Sequence, residues 1–258
     1  MALPVALRYT EHEAHSWLKH WRSWSFSFFV MPLLFLGGLG FGLGGYVDAE
    51  AAADTIGGLD YLAFVAPGLL AGGIMQNMYG DLWGVMAGFK WQGPMTAAAA
   101  TPLRPADVFL GFLAWRVPAC AAPATSFVVV AALLGGVPSA WGVLAIPAAT
   151  LCGLVFSAMA AAWSITRERD SSFPVVIRVL ATPMFVFSGT FFPVSELPAA
   201  AQGVVKVLPL WHAIELCRGA TTGTLGLVEG LGHTAYLLAW LTAAVALGIR
   251  GFNRRLTS

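Results

Sequence analysis

From Val117 to Thr166 the chain runs for 50 residues without one Asp, Glu, Lys or Arg. A helix needs about 20 apolar residues to cross a ~30 Å hydrocarbon core, so this run holds two crossings. Gly135-Gly136-Val137-Pro138-Ser139 interrupts it with turn-forming residues, which predicts helices near 112–134 and 141–165 joined tightly. The same criterion places spans at 24–44, between Arg22 and Asp48, and at 61–80, between Asp60 and Asp81. Two more fall near 174–192 and 232–249. The expected fold is an all-α integral membrane protein with six transmembrane helices, a single domain over 1–258. Composition agrees, since 58% of residues are apolar and 10% charged, against about 25% charged in a soluble domain. Glu11, His12, Glu13, Lys19 and Arg22 delay the first apolar stretch, which argues against a signal peptide and keeps the first span in the mature chain.

Orientation follows from Lys and Arg in the short connections. With the amino terminus inside, cytoplasmic segments hold Arg8, Lys19, Arg22, Lys90, Arg104, Arg167, Arg169, Arg250, Arg254 and Arg255. External segments hold Lys206 and Arg218, and the first external loop carries Asp48, Glu50, Asp54 and Asp60. Both termini are therefore expected inside, in a multi-pass plasma-membrane protein. Arg116 and Arg178, near inner span ends, are expected to snorkel to the cytoplasmic interface.

Three segments are expected to lie outside the spans. Residues 10–23 read as an amphipathic helix on the membrane surface, with Trp17, Trp21, Trp24 and Phe28 on one stripe and basic residues elsewhere. The connection 82–106 is weakly charged, and Trp83, Phe89, Trp91 and Met95 give it apolar surface suited to docking another protein. The rival is a helix packed against its own bundle. Between 193 and 230, Ser195-Glu196-Leu197-Pro198 starts a helix and Pro209 splits the stretch into 197–208 and 210–218. Each piece is about 14–18 Å long at about 1.5 Å per residue, too short to cross and too apolar for open water. A pair of short re-entrant external helices between spans five and six satisfies both facts.

No catalytic or metal site emerges. None of Lys19, Lys90 and Lys206 follows a glycine, so the phosphate-cradling G-x-x-x-x-G-K-[S/T] loop is missing, as are H-E-x-x-H and G-x-S-x-G. His12 and His15 lack the further ligands of a metal site. The three cysteines Cys120, Cys152 and Cys217 define no disulfide framework. Few ionisable residues fall at hydrocarbon depth, which argues against an ion-coupled path, so the energy for any transport comes from elsewhere. An alternative is an intramembrane lipid-modifying enzyme, built from Ser188, Thr190, His212 and Glu215. Gly38 with Gly42, and Gly40 with Gly44, give the first span small residues four apart for close helix approach.

Phe187-Ser188-Gly189-Thr190-Phe191-Phe192-Pro193, then Leu197-Pro198, Leu208-Pro209-Leu210-Trp211-His212-Ala213 and Glu215-Leu216-Cys217-Arg218-Gly219, resembles the signature of type-2 ABC exporter permeases. Thr101-Pro102-Leu103-Arg104-Pro105 is similar to that family's junction before its third span. The nearest flavours are nodulation-type lipo-oligosaccharide exporters and daunorubicin-type drug exporters. The resemblance implies a half-transporter that pairs with a second copy or close relative. It implies two separate ATP-binding subunits that use ATP and Mg, with no cofactor expected on this chain itself. It implies coupling through Lys90, Trp91, Met95, Thr101 and Arg104, with Trp17 and Trp21 on the interface helix. It implies a re-entrant gate at Phe192, Pro193, Pro198, Pro209, His212 and Glu215. The path for an amphipathic substrate is expected along spans one, two and five, at Phe28, Phe35, Met75, Met184 and Phe187.

Overall fold

The computed structural model describes residues 10, 11, 14, 21–38, 58–90, 95 and 104–257, with the backbone alone at 21–28, 256 and 257. All regular structure among them is helical. We number the helices α1 (Trp21–Gly37), α2 (Tyr61–Met78), α3 (Asp81–Lys90), α4 (Pro105–Leu133), α5 (Ala145–Ser164), α6 (Asp170–Phe187), α7 (Ala199–Val207), α8 (Pro209–Thr222) and α9 (Leu227–Thr257).

Among the described residues, four helical stretches are long and apolar enough to cross a membrane: Pro105–Leu133, Ala140–Ser164, Asp170–Phe187 and Leu227–Arg255. Of the two before them, α1 is shorter, with 17 residues, and α2 has 18, where Gln76 and Asn77 reduce the apolarity. The rest of the expected first span, 39–44, and most of the expected surface helix lie outside the described residues. At Trp21 the helix is already under way and runs without a break through the expected boundary at residue 24.

The turn between α4 and α5 forms as the sequence predicts. Gly135 takes φ +86°, open to glycine at no steric cost, and Ser139 caps the short 3-10 turn Ala140–Leu144 by accepting from Trp141 N–H at 3.2 Å. Elsewhere the boundaries move for local reasons. The third expected span, α4, begins at Pro105, not 112, because proline suits the first helical turn and the Asp107 carboxylate accepts from the Arg104 backbone N–H at 3.1 Å. The fifth ends at Phe187 instead of 192, where Gly189 at φ +88° breaks the helix. Its middle, Ile177–Ala181, is π-helical just ahead of Pro183, which has no N–H to give the carbonyl four residues back. Pro198 stands at the N-cap of α7 and not within its first turn, and α8 runs on to Thr222 where Gly223 at φ +76° closes it. The last helix extends past both ends of 232–249, to Leu227 and Thr257.

The largest correction concerns 82–106. Its first part is not a loop. A bend at Tyr79–Gly80 turns α2 directly into α3, which packs on α5 and buries Leu82, Val85, Met86 and Phe89. The periodicity explains why: those apolar residues recur at helical spacing and give the helix a face to bury.

The centre of the bundle is α5, packed against α2, α3, α4, α8 and α9. It can serve as a hub because much of its buried face is small: Ala145, Ala149, Cys152, Gly153, Ala158 and Ala161 let neighbouring backbones come close, around the larger Val155 and Phe156. A side chain on Gly153 would collide with Cys120 of α4. At the end bearing Lys90, the rings of Phe89, Phe109 and Phe252 join α3, α4 and α9, with centroids 5.0–5.2 Å apart. By contrast α6 is peripheral, with 17% of its residues buried against 56% along Ala140–Ser164.

A candidate translocation groove and the polar groups beside it

An open groove of about 580 Å³ runs between α1, α2, α4 and α6. Met31, Pro32 and Phe35 form one wall, Leu69, Gly73 and Ile74 the floor, and Phe127 and Phe185 the far side. Three of these helices, α1, α2 and α4, place a small or imino residue at the groove, Pro32, Gly73 and Pro123, and a Cβ on Gly73 would meet nothing within 4 Å. Two polar side chains, Gln76 and Asn77, line it as well.

The predicted path residues separate on this geometry. Phe35 lies in the groove and is half exposed. Phe187 is exposed beyond it, edge-on to Phe192 at 6.3 Å. Met75 and Met184 face the other way, into the core, at 0% and 5% exposure. Neighbours on the same helices, Gln76 and Phe185, take the groove positions instead, a shift of one residue that hydropathy alone does not reveal. The side chain of Phe28 lies outside the described residues.

Among the residues assigned to coupling, Lys90 is exposed at the end of α3 and Arg104 at the start of α4. Met95 is buried, packed on Gly88, so it faces its own bundle and not outward. Phe89 is likewise buried, and Trp83 packs edge-on against Phe173 at 5.3 Å. All three pack within their own bundle. Trp17, Trp91 and Thr101 fall outside the described residues, as does the side chain of Trp21.

Three polar clusters hold the bundle, and each depends on a partner distant in sequence. In the first, Arg116 of α4 is not directed to the interface. It reaches inward to Asp81 at the start of α3, Nη2 to Oδ1 2.7 Å, and Ser157 of α5 donates to the same carboxylate. A buried lone carboxylate is costly, so the arginine and hydroxyl compensate it. In the second, Arg218 of α8 pairs with Glu215 at 2.8 Å and donates to the carbonyls of Gly189 and Phe64. Its guanidinium lies over the Phe64 ring, 4.1 Å from the centroid. The turn at 189, the start of α2 and α8 are thereby tied together, and α2 approaches so closely that a Cβ on Gly68 would come 2.7 Å from Thr190 Cα.

In the third, His212 of α8 meets His233 of α9, Nδ1 to Nδ1 at 2.7 Å, and its Nε2 lies 2.9 Å from the Lys206 carbonyl. A carbonyl only accepts, so Nε2 of His212 carries the proton and its Nδ1 accepts from His233 Nδ1–H. Tyr236 stacks on His212 at 3.9 Å and donates to the Val207 carbonyl. Burial lowers the His212 pKa from its ordinary value; the Lys206 carbonyl opposes this and the nearby His233 adds to it. Ser188, Thr190, His212 and Glu215 make no hydrogen bonds with one another: Ser188 is buried without a partner, Thr190 bonds the Phe185 carbonyl, and the other two belong to separate clusters. Pro209 is buried at the start of α8, Pro193 is half-buried and Pro198 exposed. Among the described residues no three His, Cys, Asp or Glu side chains gather as metal ligands.

The sequence missed Asp81, Arg116 and Ser157 as a unit. The available signal was an arginine inside an otherwise apolar helix, which must find a partner.

The chain matches the model of one protein family, ABC-2 type transporter, over residues 14–221. It is similar to Nodulation protein J of Rhizobium meliloti (strain 1021), 31% identical over 226 residues, covering 87% of this chain and 84% of the relative. It is similar to Nodulation protein J of Rhizobium leguminosarum bv. trifolii at 30% identity, with the same coverage. Nodulation protein J of Sinorhizobium fredii (strain NBRC 101917 / NGR234) is 31% identical over 228 residues, 88% of this chain and 84% of the relative. With a family match spanning most of its length and relatives of this identity, the chain belongs to the ABC-2 type transporter family.

Proposed function

We propose that this membrane transporter component is the permease of an ATP-driven exporter, moving an amphipathic molecule (a hydrophobic drug, a lipo-oligosaccharide or a glycolipid) out of the cytoplasm. The observation that carries the reading is the groove between α1, α2, α4 and α6, apolar along most of its lining and open to the side, in a chain of this family. Membership of the family implies work with an ABC ATP-binding subunit. Here two copies of that subunit would bind ATP and Mg, and a second permease copy or close relative would complete the complex. Six crossings with both termini cytoplasmic fit the charge bias of the connections, α1 and α2 adding to the four longer spans. Nucleotide-driven closure would act on the inner side, at Lys90, the segment to Thr101, Arg104 and the surface helix carrying Trp17 and Trp21. The bend at Tyr79–Gly80 would pass that motion from α3 to α2, one wall of the groove. The hairpin α7–α8, with Phe192, Pro193, Pro198 and Pro209 at its joints and His212 and Glu215 in its clusters, would gate the outer end.

The test is reconstitution of the permease with its ATP-binding subunit in sealed vesicles. ATP-dependent movement of a fluorescent amphiphile is expected, and it should vanish when the partner subunit binds ATP without hydrolysing it. Nucleotide hydrolysis by the permease purified alone would overturn the reading, as would transport that continues without the partner.

A further inference from the structure

Gln76 and Asn77 sit in a setting where carboxamides are not expected without a purpose. Both are exposed, both line the groove, and neither makes a side-chain hydrogen bond. Each offers two N–H donors and a carbonyl acceptor. Such groups beside an apolar wall cost free energy unless something arrives to satisfy them, and a few polar groups in an apolar cleft mark a binding site. Among the described residues the rest of the lining is apolar, and none of it is charged. Asp81, the acid next along the chain, is turned away and occupied by Arg116 and Ser157. The groove therefore has hydrogen-bonding capacity at one end, no fixed charge among its described residues, and open space at Gly73.

We infer that Gln76 and Asn77 form a headgroup subsite for an amphiphile whose polar end is uncharged and rich in hydroxyl or amide groups, its apolar tail lying along Gly73, Leu69 and Phe35. This rests on the exporter reading and narrows it, because a cationic drug finds no carboxylate there to neutralise it. A sugar-like headgroup exchanges hydrogen bonds with water for bonds with the two amides. The tail takes its place on an apolar wall.

The experiment measures binding and transport separately. The purified permease in phosphatidylcholine nanodiscs is titrated with a fluorescent alkyl glucoside and with a fluorescent alkyltrimethylammonium of the same tail, followed by anisotropy. The wild type should bind the glucoside at least tenfold more tightly, a difference of about 1.4 kcal/mol. Q76L/N77L should lose that preference, and Q76E/N77D should reverse it toward the ammonium. Gly73→Phe, which grows into open space, should exclude both probes, and thermal unfolding checks that each variant is folded. Glucoside binding that is equal in wild type and Q76L/N77L overturns the subsite. So does a wild type that prefers the ammonium or binds neither probe, the outcome expected if a second copy of the chain fills the groove. ATP-driven transport of the glucoside with the partner subunit is a separate arm. Binding as described without transport would sink the exporter reading and leave the subsite standing.

Discussion

The Asp81–Arg116 pair shows how one residue can hold several helices in register. Asp81 is 6% exposed, and its carboxylate is shared between α4 and α5 while its backbone starts α3. Removing one partner of a buried pair leaves the other charge uncompensated, typically at about 3–5 kcal/mol. Arg116 keeps some access to solvent, its side chain being 15% exposed, so Asp81→Ala should fall near the lower end of that range. Thermal unfolding in detergent checks it: D81A should lower the midpoint sharply, and D81A/R116A should be destabilised by less than the sum of the two single variants. Strict additivity would mean that the pair contributes nothing as a pair. Neither residue was legible in this role. An acid at the end of an apolar run reads as the start of a loop, and an arginine near a span end reads as an interface anchor. Each reading is locally sound, and both fail because the partner lies 35 residues away.

Among elements, the hairpin α7–α8 was the most legible and its fastening the least. Pro209 cannot continue a preceding helix, so the break near it follows from the sequence, as does the turn at Gly135. What fastens α8 to α9 is the His212–His233 contact, which no pattern of spacing reveals. Its geometry gives stability a pH dependence of definite sign. The fold favours neutral His212, since burial disfavours its charged form and the nearby His233 adds to this. The groups facing it are His233 and Tyr236 of α9 and the Lys206 carbonyl of α7, while Glu215 on its own helix is engaged by Arg218. Because the folded pKa is lowered, this contribution is present above the ordinary histidine value of about 6.5 and is lost as pH falls through the lower folded value. The unfolding midpoint should therefore decline on acidification below about pH 6.5. His212→Gln should flatten that decline, and an unchanged profile in the variant would assign the pH dependence to other groups.

For the whole molecule, the sequence made the class legible because hydrocarbon imposes one dominant rule, and uncharged length reports it directly. It left open how the helices face one another, since in lipid both sides of a helix can be apolar: α6 exposes Val175, Val179 and Leu180, while α9 exposes Leu227, Val228 and Leu231. Topology is the property of the whole that a simple measurement decides. Lys90 ends α3 and Ser195 lies in the short turn after α6; both are exposed, and between them lie Pro105–Leu133, Ala140–Ser164 and Asp170–Phe187. Should all three cross, their odd number would put these two positions on opposite sides of the bilayer. The native thiols do not interfere, because Cys120, Cys152 and Cys217 are all buried. On intact cells a membrane-impermeant maleimide should label Ser195→Cys and spare Lys90→Cys, and inside-out vesicles should give the reverse. Labelling of both from one side would remove a crossing from the interval, and with it the arrangement in which force enters at α3 and cargo leaves beneath α7 and α8.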